Sequence, residues 1–107
     1  PHYIRARIPG GTYFFTVALL ERRQRLLTGH IDSLRAAFRS VQAERPFHID
    51  AIVILPDHLH CRWTLPEGDA DYSTRWRLIK SAFARSLPPD EYRSARRQET
   101  GERGIWQ

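Results

Sequence analysis

The sequence has one cysteine, one lysine and no long apolar run, and each shortage closes off a class of protein. With Cys61 alone no internal disulfide framework can form, and a thiol without a second cysteine nearby argues against a thiolate zinc site. Cys61 reads as a small buried residue. No stretch approaches the ~20 apolar residues a membrane helix needs, and the opening Pro1-His2-Tyr3-Ile4-Arg5 lacks the apolar centre of a secretory signal. The expectation is a cytoplasmic protein with no membrane partner. Of 17 basic residues only Lys80 is lysine. Arginine suits bidentate contacts to phosphates and bases, although a GC-rich genome would give the same bias.

What is present describes one globular domain spanning 1–107, with 41% hydrophobic and 27% charged residues. The net charge of +5 and pI near 10.1 point to a polyanionic partner, because Lys and Arg that neutralise phosphates release condensed counterions.

The turn pair Gly10-Gly11 opens an aromatic and β-branched run to Leu19, which predicts a first strand. Ile31, Leu34, Phe38 and Val41 recur at helical spacing, predicting a helix over 31–44 that Pro46 ends. Two extended runs, 47–55 and 58–65, flank the turn pair Pro56-Asp57 and predict a hairpin. Asp71 or Ser73 can cap a second helix with Trp76, Ile79 and Phe83 on its apolar stripe. Residues 88–104 are polar and aperiodic, as in a mobile loop, and Ile105-Trp106-Gln107 begins another strand. The order β-α-β-β-α-(start of β) predicts an α+β fold of ferredoxin-like, split βαβ type, an antiparallel sheet with helices on one face.

The second run of the hairpin alternates. His58, His60, Arg62 and Thr64 share one face, and Leu59, Cys61, Trp63 and Leu65 share the other. Two imidazoles at i and i+2 can ligate one divalent cation, although His-x-His on a solvent-facing strand needs no metal to explain it. Asp57 could orient the imidazole of His58, and it is also what a tight turn selects. Trp63 and Trp76 raise base stacking, but their places on apolar faces favour core packing.

The context of the pair, Val53-Ile54-Leu55-Pro56-Asp57-His58-Leu59-His60-Cys61, resembles the HUH signature of single-strand DNA nucleases and transposases. Pro9-Gly10-Gly11-Thr12-Tyr13-Phe14-Phe15-Thr16-Val17, Arg45-Pro46-Phe47, Trp63-Thr64-Leu65-Pro66-Glu67-Gly68-Asp69, Arg75-Trp76 with Ile79-Lys80, and Gly104-Ile105-Trp106-Gln107 are similar to the REP-associated tyrosine transposases. The resemblance covers nearly the whole chain. It implies that His58 and His60 hold Mg²⁺ or Mn²⁺, and that a tyrosine attacks the scissile phosphate of single-stranded or hairpin DNA by transesterification. It also implies that the nucleophile and a third metal ligand come from a later helix, past Gln107. Tyr3, Tyr13, Tyr72 and Tyr92 do not match that position. Tyr92 would reach the metal only if its linker folded back, and reads as a solvated loop residue. DNA contacts are expected from Arg5, Arg7, Arg75, Arg77 and Lys80.

Two other readings compete with the transposase: a nucleic-acid-binding module without chemistry, and a structural remnant whose open sheet edge invites dimerisation or swapping. Monomer and homodimer both remain open.

Overall fold

The computed structural model describes residues 8–88 and 104–107. Of the loop expected over 88–104, residues 89–103 lie outside the described residues, as do Tyr3, Arg5, Arg7 and Tyr92. Gly10, at φ 71°, makes the turn that starts strand β1 (Thr12–Ala18), a left-handed conformation that glycine adopts without penalty. Two short helical pieces follow that periodicity did not reveal, a 3-10 turn at Arg22–Gln24 and helix α1 (Leu26–Gly29). Helix α2 (Ile31–Glu44) has the bounds its apolar spacing predicts, and buries Leu34, Ala37, Phe38 and Val41. Strands β2 (His48–Ile54) and β3 (His58–Thr64) form the hairpin, and helix α3 (Tyr72–Ser86) starts at Asp71, whose carboxylate accepts from the Thr74 amide at 3.0 Å.

The sheet order is β1-β3-β2, with both neighbouring pairs antiparallel. The last of these strands in sequence therefore lies between the first two, which is the split βαβ arrangement. On the outer side of β1, Trp106 bridges Leu19, and Gln107 donates its amide to Ala18 at 3.0 Å. The α+β expectation is met.

One face of the sheet is packed. Phe15, Leu59, Cys61 and Trp63 meet Phe38 of α2 and Trp76, Ile79 and Phe83 of α3 in a single core. Trp63 and Trp76 stack with ring centres 4.4 Å apart, and Phe15 and Phe47 lie 4.7 and 4.3 Å from Trp63. Truncating an indole so enclosed costs about 3–5 kcal/mol, a magnitude that assigns both tryptophans to packing. The opposite face is open, and the histidines project from it. Among the described residues no helix is long and apolar enough to cross a membrane.

Candidate metal centre

The two histidines owe their positions to strand alternation. Along β3 the burial runs intermediate, buried, exposed, buried, exposed, buried, so that His58 and His60 leave the open face while Leu59 and Cys61 enter the core. Their ring centres are 5.0 Å apart. His58 Nδ1 lies 2.9 Å from Asp57 Oδ1, and His60 Nδ1 lies 2.9 Å from Thr16 Oγ1, across the β1–β3 pair that sets Thr16 opposite His60. The Asp57 carboxylate only accepts, so His58 Nδ1 donates to it, and in the neutral ring this tautomer puts the lone pair on Nε2. The same tautomer of His60, in which Nδ1 donates to the Thr16 hydroxyl, would put its lone pair on Nε2 as well.

Asp57 is the turn residue and the partner of the imidazole at once. Its backbone carbonyl accepts from the Leu19 amide at 2.9 Å, the Pro56 carbonyl accepts from Leu27 at 3.1 Å, and Leu55 donates to His58 at 2.8 Å. The second carboxylate oxygen accepts from Arg22 Nε at 2.6 Å. Hydrogen bonds from His58, first, and from Arg22 hold the Asp57 carboxyl down to about 2. Arg22 escaped the sequence reading because it stands in the charged run 21–25, which has no period and looks like solvated surface.

Two neighbouring imidazoles with Nδ1 already engaged fit a divalent cation, since ligating histidines are normally oriented in this way. A ring separation of 5.0 Å is one that a single ion can bridge with metal–nitrogen bonds of about 2.1 Å. The donor set is short, however. No group of three His, Cys, Asp or Glu side chains gathers around a common point among the described residues.

An Escherichia coli REP-associated tyrosine transposase is 57% identical to the chain over 81 residues, which is 76% of the chain and 49% of that protein. A Haemophilus influenzae protein provisionally given the same name is 40% identical over 107 residues, 99% of the chain and 61% of the relative. A solved REP-associated tyrosine transposase bound to a REP hairpin matches the whole chain with a TM-score of 0.79 and 47% identity, covering 57% of that structure. The chain belongs to the REP-associated tyrosine transposase family. It spans about half to three-fifths of the length of these relatives. A Deinococcus radiodurans protein provisionally named a transposase shares the fold, with a TM-score of 0.58 and 20% identity over 80% of the chain and 65% of its own. No protein-family model matches the chain.

Within this transposase-family chain the residues expected to meet DNA separate. Arg75 is a correction: it is 3% exposed, not a surface cation. Its guanidinium makes five hydrogen bonds, two to the Asp69 carboxylate and one each to the carbonyls of Arg45, Pro46 and Asp71, which saturates its five donors. It joins the end of α2 to the start of α3. Arg77 is exposed on α3, and Lys80 is half-buried, with its ammonium 5.9 Å from the Trp106 ring and its proton affinity lowered by burial. Of the tyrosines, Tyr13 exchanges hydrogen bonds of 2.7 Å with the Ile8 backbone, and Tyr72 packs on Tyr13 and Phe15, on the face away from the histidines.

Proposed function

We propose that this chain supplies the metal-binding and DNA-binding part of a tyrosine transposase, with Mg²⁺ or Mn²⁺ held by Nε2 of His58 and His60. The observation that carries the reading is that Nδ1 of both rings is engaged, on Asp57 and on Thr16, which leaves Nε2 of two adjacent histidines as the ring positions to ligate an ion. A divalent ion bound there would polarise a phosphodiester oxygen and stabilise the charge that develops at phosphorus. Asp57 and Thr16 fix the rings, and Arg22 fixes Asp57. The substrate is single-stranded or hairpin DNA, and the reaction is transesterification by a tyrosine that is neither Tyr13 nor Tyr72, because both lie on the helical side of the sheet. Arg77, Lys80, and Arg5 and Arg7 outside the described residues, supply contacts to the phosphate backbone. The cytoplasm is the place of action, as a monomer or as a homodimer, with domain swapping possible through an open sheet edge.

A second reading, a DNA-binding module without chemistry, is favoured by one observation: among the described residues no group of three His, Cys, Asp or Glu side chains is arranged to hold a metal ion. Calorimetry with Mn²⁺ separates the two, on the wild-type chain and on His58→Ala with His60→Ala, each with and without a DNA hairpin. A binding heat that vanishes in the double variant supports the metal centre. Negligible heats in both proteins, with the hairpin still bound, leave the binding module.

A further inference from the structure

The open face of the sheet carries a second constellation beside the histidines. Phe14 projects from β1 and is 67% exposed. A lone exposed aromatic needs no explanation, but this one has a built surrounding. The register sets Phe14 opposite Arg62, and the guanidinium carbon of Arg62 lies 5.9 Å from the centre of the Phe14 ring. Arg62 is itself held. Its Nε is 3.3 Å from Asp50 Oδ2, which also accepts from the Thr64 hydroxyl at 2.7 Å, and Thr64 is 3.0 Å from the hydroxyl of Thr12. Asp50 occupies the bulge where the β2 register shifts between Ile49 and Ala51, and bulges re-aim a side chain in this way. Hydrogen bonds from Thr64 first, and then His48, keep its carboxyl below the usual range.

We propose that Phe14 and Arg62 form a platform for one unpaired nucleobase of a single DNA strand whose neighbouring phosphate lies at the histidine pair. This rests on the DNA-binding reading above and adds the group that receives a base. A recess of about 280 Å³ runs along this face and is lined by Phe14, Thr16, Ala51, Val53, His60 and Arg62, so that platform and histidine share one wall. Along the strands, Phe14 and Arg62 stand two residues from Thr16 and His60, a separation of about 7 Å that a single nucleotide can span. Aromatic rings on an open antiparallel sheet stack bases without reading their sequence, and arginine adds donors and a stacking plane. The positive charge of the chain suits a nucleic acid over an apolar peptide as occupant. Base stacking, raised by the sequence for Trp63 and Trp76, thus passes to a residue whose neighbour Phe15 takes the core position.

The test uses the whole chain with two probes, a DNA hairpin with an unpaired flank carrying 2-aminopurine and the same hairpin cut flush to its stem. Phe14→Ala weakens binding of the flanked hairpin about 5- to 150-fold, the range for loss of one stacked base. It leaves the flush hairpin unchanged and abolishes quenching of the 2-aminopurine. Phe14→Trp retains affinity and quenching, and Arg62→Ala weakens the flanked probe alone. Equal effects of Phe14→Ala on both probes, or no effect on either, overturn the platform. A change in melting temperature without a change in DNA affinity also overturns it, and assigns Phe14 to intramolecular packing against Arg62. If the wild-type chain binds neither hairpin, the DNA-binding reading itself falls.

Discussion

A guanidinium that is 3% exposed must be neutralised where it lies, and for Arg75 the counter-charge comes from Asp69, six residues earlier in the loop before α3. Helical spacing sends the charges of an amphipathic helix outward, so the sequence placed Arg75 on the surface. Its burial depends on carbonyls of Arg45 and Pro46 about thirty residues away, which no spacing displays. Asp69→Asn keeps the shape and removes the charge, and the cost is on the order of 3 kcal/mol, because the cation stays buried without its partner. Hydrogen bonds from Arg75, first, and from the Asp71 amide hold the Asp69 carboxyl down to about 2, against 3.8 for the isolated group. A lowered value in the fold stabilises above the unfolded value, so this contribution is complete above about pH 4 and is lost as pH falls through about 2. Urea unfolding at pH 7, 4 and 2.5 should show the gap between wild type and Asp69→Asn narrowing only below pH 4. A gap that stays constant to pH 2.5 would remove the ion pair as its cause.

At the level of elements, the connection between β1 and α2 reaches the site. Arg22 stands in its 3-10 turn, and Arg22→Ala should lower Mn²⁺ affinity by up to about 10-fold. This is the small end of the effect of outer partners, since it acts through Asp57 and is half-exposed. Unaltered affinity in calorimetry would show that Asp57 needs no anchor. Periodicity made α2, the hairpin and the alternation of β3 legible, and with them the shared face of His58 and His60. It could not show Arg22–Gln24 or Leu26–Gly29, because single helical turns are shorter than the window in which a period emerges. It also did not rank Phe14 against Phe15, adjacent identical residues of which one packs and one faces outward.

For the whole molecule, charge sets the response to salt. Hairpin affinity should fall as salt rises, with a slope of about −0.9 in log–log form for each phosphate neutralised. Arg77→Ala should make that slope shallower by about one unit, and a slope that does not change would remove Arg77 from the DNA-binding surface. The strand order has a different consequence. β3 is the one strand of the β1-β3-β2 sheet paired along both sides, whereas β1 and β2 each have an outer side. Proteins open piecemeal, and fraying begins at edges. Partial opening that releases β2 or the outer side of β1 still leaves His58 and His60 on a strand with a partner. The amides of the histidine pair should therefore exchange among the slowest of the fold, and hydrogen-exchange measurements that found them as fast as those at the outer side of β2 would remove this protection.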